Sequence, residues 1–103
     1  HDDGDLALMV KPQFEVGKDR VGKGGVVRDL DLRADAVAAV AAGGARRGWG
    51  AQAVTTSPLP GPSGNVEFFL WLRHADPAVS EDDITTEVRR TPALGASGEK
   101  VEP

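Results

Sequence analysis

The 103-residue sequence contains no cysteine and no apolar run close to the length of a membrane span. The absence of cysteine excludes a disulfide framework and a thiolate metal site, and it fits a reducing compartment. A membrane-spanning helix needs about 18 consecutive apolar residues or more, and the sequence has neither such a stretch nor a signal-peptide pattern. We therefore expect a soluble, cytoplasmic protein.

Several motifs of nucleotide, metal and nucleophile chemistry are also missing. The GKGG sequence at 22–25 lacks the spacing and the Lys-Ser/Thr ending of a phosphate loop, and no GxGxxG pattern follows a strand. His1 and His74 have no clustered partner, so no metal site is predicted. No Ser-His-Asp or Cys-His arrangement can be assembled. Any chemistry must therefore come from other charged side chains.

Charge is distributed unevenly along the chain, although the formal net charge is only −4. Residues 11–47 carry eight Lys or Arg and five acids, whereas residues 74–103 carry three and seven. Four cations lie in or beside the glycine-rich segment, namely Lys18, Arg20, Lys23 and Arg28. A basic middle between acidic ends is compatible with a phosphate-facing surface, and an ordinary solvated face is the alternative.

The hydrophobic pattern predicts three strands. In the segment 5–10, the residues after Asp5 are apolar without alternation, which is typical of a strand buried on both faces of a parallel sheet. Residues 51–57 and the aromatic-rich segment 65–73 read as two further strands. Because the proline-rich connector 58–64 joins these two strands, we expect them to pair antiparallel.

Two helices are predicted, one on each side of the later strands. The main helix begins at a cap on Asp29 or Asp31 and runs to about Arg47, with Gly48 as a left-handed stop. A short helix begins at the capping-box sequence 80–83 and runs to about Arg90. The glycine-rich segment before the main helix reads as a loop, and the residues after the short helix read as a frayed tail.

Two charged residues stand at the ends of apolar strands. Lys11 follows the first strand, and ligands of open α/β sheets bind outside the carboxyl ends of strands. Glu67 lies near the start of the otherwise apolar third strand. If the third strand runs antiparallel to the first within one sheet, Lys11 and Glu67 face one crevice. The alternatives are a lysine that extends to solvent and a glutamate on an outer face.

Four segments of the sequence resemble the TlyA-type ribosomal RNA 2′-O-methyltransferases, also called the hemolysin A family, which share the FtsJ-like methyltransferase fold. They are MVKPQFEVG, GKGGVVRD, SPLPGPSGNVEFFLWL and the GW dipeptide after the helix, and the resemblance covers residues 5–73. In that family a Lys-Asp-Lys-Glu tetrad serves methylation of a ribose 2′-hydroxyl from S-adenosylmethionine. The resemblance places its second lysine on Lys11 and its glutamate on Glu67.

The resemblance also implies a fold and a domain organisation. It implies an α/β protein that forms the C-terminal half of a Rossmann-like methyltransferase sheet, with strands five, six and seven and one intervening helix. The seventh strand then lies antiparallel between the other two. Residues 1–73 would form this half of the domain and residues 74–103 an acidic tail with a short helix near 81–90. The family's glycine-rich cofactor loop, first lysine and aspartate precede this region, and together with His1 in place of Met they predict an incomplete domain that is inactive alone.

The residue types suit the implied reaction. A ribose hydroxyl is a poor nucleophile at neutral pH, and a lysine amine can accept or polarise its proton while a carboxylate orients the ammonium or the sugar. We therefore predict Lys11 and Glu67 as catalytic residues and ribosomal RNA or ribosomal subunits as partners, with RNA contacts from Lys18, Arg20, Lys23 and Arg28. The alternative is a non-catalytic RNA- or ribosome-binding module. A membrane-lytic activity has no strongly amphipathic cationic helix to support it.

Overall fold

The computed structural model describes residues 4–15, 27, 29–59 and 64–91. Within these residues the chain forms three strands and three helices, in the order β1 (Asp5–Val10), α1 (Pro12–Glu15), α2 (Leu30–Arg46), β2 (Gly50–Thr56), β3 (Phe68–Arg73) and α3 (Glu81–Arg89). The three predicted strands and both predicted helices are confirmed, with ends that differ by a few residues. The short helix α1 was not predicted. Most of the predicted glycine-rich loop and the tail lie outside the described residues.

The three strands form one antiparallel sheet with β3 in its centre. β1 pairs with β3 from Asp5 opposite Arg73 to Val10 opposite Phe68. β2 pairs with the other edge of β3, with Thr56 also opposite Phe68 and an irregularity between Ala51 and Ala53. The antiparallel pairing through the proline-rich connector is therefore confirmed, and so is the antiparallel pairing of the third strand with the first.

Two helices cover one face of this sheet. Phe68, Leu70 and Leu72 alternate along β3 with more exposed residues, and each of the three is almost completely buried. Because side chains on a strand alternate between faces, these three point to the same side. They belong to one hydrophobic cluster with Val37 of α2 and Ile84 of α3, so this cluster forms the core.

The prediction that the first strand is buried on both faces is wrong. Every residue of β1 except Val10 is exposed, and Leu6 and Met9 keep 41% and 45% of their surface accessible. The reason is the position of β1, which lies at the edge of the sheet beside β3 and pairs with no second strand in the described part of the chain. An apolar sequence shows that a strand can be buried, but the elements packed around the strand determine whether it is.

α2 has the caps that the sequence predicts. The Asp29 side chain accepts a hydrogen bond of 2.7 Å from the backbone N–H of Asp31, which identifies Asp29 as the N-cap. Gly48 follows the helix with φ of +85°, a left-handed conformation that glycine adopts without steric cost. Gly44 has a packing role, since a Cβ at this position would lie 2.9 Å from the backbone oxygen of Trp49.

α3 packs against the body of the protein. Its predicted capping box is confirmed, because Ser80 and Asp83 exchange hydrogen bonds between side chain and backbone. The Glu87 carboxylate accepts hydrogen bonds from the N–H and the hydroxyl of Thr56 at 3.0 and 2.7 Å, which attaches the helix to β2. None of the helices in the described ranges is long and apolar enough to cross a membrane.

Candidate active site

The pairing register brings Lys11 and Glu67 to one edge of the sheet. Val10 and Phe68 are the last paired residues of β1 and β3, and Lys11 and Glu67 are the next residues outward on each side. Since the strands are antiparallel, the end of β1 and the beginning of β3 meet at this edge. The structure therefore brings together the two residues that the sequence singled out.

Glu67 is buried, and both its side chain and its backbone accept hydrogen bonds. The residue keeps only 5% of its surface accessible. Its side-chain Oε2 accepts a hydrogen bond of 2.9 Å from Nε2 of Gln13, and its backbone carbonyl accepts one of 2.8 Å from the N–H of Ser57. A buried carboxylate needs such donors because it has lost its hydration. The predicted alternative, a glutamate on a solvated outer face, is wrong.

Lys11 lies on the turn that follows β1. Its ammonium Nζ is 5.6 Å from the centre of the Phe14 ring, within the range of a cation–π contact. Lys11 is half-buried, whereas Phe14 keeps 71% of its surface accessible. The N–H of Phe14 donates a 2.9 Å hydrogen bond to the Lys11 carbonyl, which closes the helical turn α1. This turn holds an ammonium and an exposed aromatic ring side by side at the sheet edge.

Sequence reasoning missed Gln13 and the helical turn that carries it. Pro12 begins this turn and is buried, and proline suits the first position of a helix because its φ is already helical. The turn directs the Gln13 amide to Glu67, a residue 54 positions later in the chain. The only signal was a polar residue directly after the Lys-Pro pair, which is too short a pattern to predict a partner.

Two buried polar side chains, those of Asn65 and Arg33, bind the backbone of Val27. Asn65 is 2% exposed, and its Oδ1 accepts a buried hydrogen bond of 2.9 Å from the N–H of Val27. Nε of Arg33 donates to the Val27 carbonyl at 3.2 Å. Both backbone polar groups of Val27 are therefore bonded to side chains. Val27 is therefore attached to Asn65, which lies two residues before Glu67 in the chain.

Arg33 is a fully buried cation on the face of α2 that the sequence predicts as apolar. Its Nη1 donates a hydrogen bond of 3.0 Å to the hydroxyl of Thr91, beyond the end of α3. Burial lowers the pKa of the Arg33 guanidinium, and the nearby Asp29 carboxylate opposes that shift. Its spacing of three and four residues from Ala36 and Val37 was the signal that it faces inward.

The predicted RNA contacts fall outside the described residues. This applies to the whole set of cations in the glycine-rich segment, namely Lys18, Arg20, Lys23 and Arg28. Their role in binding RNA stays a prediction.

A cavity of about 520 Å³ lies at the opposite end of β1 from Lys11. Its walls include Leu6 and Leu8 of β1, Trp49, and the two arginines at the end of α2, Arg46 and Arg47. Among the described residues, no acidic side chain lines it. A cofactor with a sulfonium centre and a ribose does not fit these walls, because they offer cations and apolar groups where a cation and hydroxyl groups would have to bind.

The arrangement at the Lys11 edge is suited to proton handling. An amine and a buried carboxylate at the same sheet edge could accept or polarise the proton of a hydroxyl group that is brought between them. Positions directly outside strand ends are where open α/β sheets bind their ligands.

Comparison with known proteins identifies the family. A sequence model of the FtsJ-like methyltransferase family matches residues 2–74, and the chain belongs to this family. The 16S/23S rRNA (cytidine-2′-O)-methyltransferase TlyA of Mycobacterium tuberculosis is 53% identical over 94 residues, which cover 90% of this chain and 35% of that protein. The resemblance seen in the sequence is confirmed. The chain spans about a third of the length of this curated relative.

Two solved structures have the same fold over most of the chain. A candidate hemolysin of Streptococcus thermophilus superposes with a TM-score of 0.79 at 28% identity, over 87% of this chain and 33% of that protein. A second candidate hemolysin, from Lactococcus lactis, superposes with a TM-score of 0.78 at 29% identity, over 87% of this chain and 44% of that protein. This fold therefore matches a part of longer proteins.

Proposed function

We propose that this chain contributes Lys11 and Glu67 to the reaction centre of a cytoplasmic ribosomal RNA (cytidine) 2′-O-methyltransferase. The observation that carries the proposal is the placement of Lys11 and the buried residue Glu67 at one edge of the sheet. The family match and the named activity of the M. tuberculosis relative supply the reaction class and the substrate. In this proposal β1, β2 and β3 are the fifth, sixth and seventh strands of a longer Rossmann-like sheet.

The two side chains have different roles in the proposed reaction. The amine of Lys11 accepts or polarises the proton of the ribose 2′-hydroxyl, which raises the nucleophilicity of that oxygen. The carboxylate of Glu67 orients the amine or the sugar, and its burial fixes the geometry. S-adenosylmethionine supplies the methyl group. The cavity lined by Leu6 and Trp49 does not suit this cofactor, and in this proposal residues of a longer protein bind it.

The first test replaces Lys11 in a hybrid protein, in which the 94 matching residues of this chain replace their counterparts in the M. tuberculosis relative. Lys11→Ala and Lys11→Arg should both lower the single-turnover rate of ribosomal RNA methylation by roughly 10²-fold or more. Arginine fails as well because guanidinium keeps its proton throughout the accessible pH range.

The rates of these variants, measured beside their affinities for RNA, separate proton handling from simple attraction of a phosphate. If Lys11 only attracts a phosphate, Lys11→Arg should keep most of the rate, since arginine binds phosphate at least as well. Glu67→Gln, which keeps the shape and removes the charge, should lower the rate more than RNA affinity. A nearly unchanged rate in Lys11→Arg would exclude the proton-handling role, and RNA binding by an inactive unsubstituted hybrid would favour a binding module.

A further inference from the structure

We infer that Gln13 is a positioning residue for the Glu67 carboxylate, an inference that rests on the proposed function. Nε2 of Gln13 donates to Oε2 of Glu67 at 2.9 Å, between residues 54 positions apart. The terminal torsion of a glutamate is broad, so the direction of its carboxylate depends on its hydrogen-bond partners. The Gln13 amide engages one carboxylate oxygen and thereby sets the direction of the other, Oε1.

The Gln13 amide is held by its own backbone. The turn begins at the buried Pro12, whose ring fixes φ, and it closes through the hydrogen bond from the N–H of Phe14 to the Lys11 carbonyl. The same turn therefore carries the amine of Lys11 and the amide that orients Glu67. A rigid support of this kind is what a precise reaction geometry requires.

The second polar atom of the Gln13 amide also indicates a functional role. Its Oε1 is buried and has no hydrogen-bond partner among the residues that the structure describes. Rotating the amide by 180° would not help, since Oε1 would then face the carboxylate oxygen and two acceptors would meet. A buried polar atom without a partner lowers stability, and an apolar side chain of the same shape would avoid this cost. The contact with Glu67 is what an apolar residue could not provide.

The test compares two glutamine-to-methionine substitutions in the hybrid protein. Gln13→Met keeps the length of the side chain and removes the donor, and it should lower the single-turnover rate roughly tenfold to a hundredfold. Its affinity for ribosomal RNA and for S-adenosylmethionine should change by less than about twofold. The matched control is Gln52→Met. Gln52 donates to the Gly50 and Asp76 carbonyls at the opposite end of the sheet, so this variant should keep the full rate.

Combination with Glu67→Gln distinguishes positioning from a merely structural role. If Gln13 acts through Glu67, adding Gln13→Met to Glu67→Gln should lower the rate further by less than about twofold. If Gln13→Met lowers the rate by the same factor with and without Glu67→Gln, the inference is overturned. Loss of rate in Glu67→Gln with none in Gln13→Met would overturn it as well, while leaving the proposed function intact. A full rate in Glu67→Gln would overturn the proposed function and the positioning role together.

A folding control accompanies these rates. Thermal melting of the hybrid protein should show that both variants remain folded, with Gln13→Met melting no higher than the unsubstituted hybrid because the buried Glu67 carboxylate loses a donor. If Gln13→Met does not fold, Gln13→Asn takes its place, since it keeps an amide but is shorter by one methylene and cannot reach Glu67 at the same distance. A full methylation rate in a folded Gln13→Asn variant would contradict the inference.

Discussion

A single buried cation, Arg33, connects three parts of the molecule. It lies on α2 and donates hydrogen bonds to the Val27 carbonyl and to the Thr91 hydroxyl, which belong to the glycine-rich segment and to the chain beyond α3. Its guanidinium serves two directions at once because its N–H donors are arranged in a planar fork. At the scale of one residue, the charge is retained in the interior because each of these acceptors would otherwise lose its donor.

Arg33→Lys should therefore destabilise the chain, although it keeps the charge. A lysine carries its three donors on one terminal nitrogen and does not reproduce the separate positions of Nε and Nη1, so one buried oxygen loses its donor at a cost of about 2 kcal/mol. Chemical denaturation measures the change in the free energy of unfolding. Arg47→Lys is the control, because Arg47 is exposed, and its effect should stay within about 0.5 kcal/mol. Equal stability of both variants would show that the fork geometry is unimportant.

At the scale of an element, α2 contains two adjacent glycines that should respond to alanine in opposite ways. A Cβ on Gly43 would meet only the end of the Arg46 side chain at 3.7 Å, so Gly43→Ala should stabilise the helix by about 0.5 to 1 kcal/mol. A Cβ on Gly44 would lie 2.9 Å from the backbone oxygen of Trp49. Since that backbone cannot move easily, Gly44→Ala should destabilise the chain.

Thermal melting of the two alanine variants measures this difference. The expected order of melting temperatures is Gly43→Ala above the unsubstituted chain and Gly44→Ala below it. Stabilisation by both substitutions would mean that the helix and the Trp49 turn are less closely packed than the structure indicates.

β1 is an apolar edge strand, and this predicts association between copies of the isolated chain. Leu6 and Met9 are exposed on it, and an edge strand presents unpaired backbone groups to other chains. Sedimentation at increasing concentration should therefore detect self-association. Met9→Lys should reduce the association, because charge on an edge strand opposes pairing with another edge. A monomer at every concentration would contradict this prediction.

At the scale of the whole molecule, the chain provides one part of the proposed reaction centre. It spans about a third of its M. tuberculosis relative, and the cavity of about 520 Å³ lies at the end of the sheet remote from Lys11. The isolated chain should therefore neither bind S-adenosylmethionine nor methylate RNA. Calorimetry measures the binding, with the hybrid protein as the positive control. A stoichiometric micromolar complex with the isolated chain would contradict the prediction.

The local features of this fold were predictable from the sequence. Asp29, Gly48 and the capping box at Ser80 mark helix ends through interactions that span only a few residues, so their pattern can be read directly. The placement of Lys11 and Glu67 at one edge also followed from the sequence, because strand direction alone determines which strand ends meet. Catalytic roles for the two residues stay a prediction.

Tertiary structure alone determined the partners of the polar groups and the exposure of β1. The contacts of Glu67 with Gln13 and of Arg33 with Thr91 join residues 54 and 58 positions apart, and no local pattern specifies such pairs. Residues 5–10 have the composition of a buried strand, yet burial requires neighbours on both sides, and among the described residues the sheet provides only β3 on one side. The sequence determined which segments form strands and helices, because that depends on local conformational preference. Packing determined which side chains are buried and paired, because that depends on atoms far away in the chain.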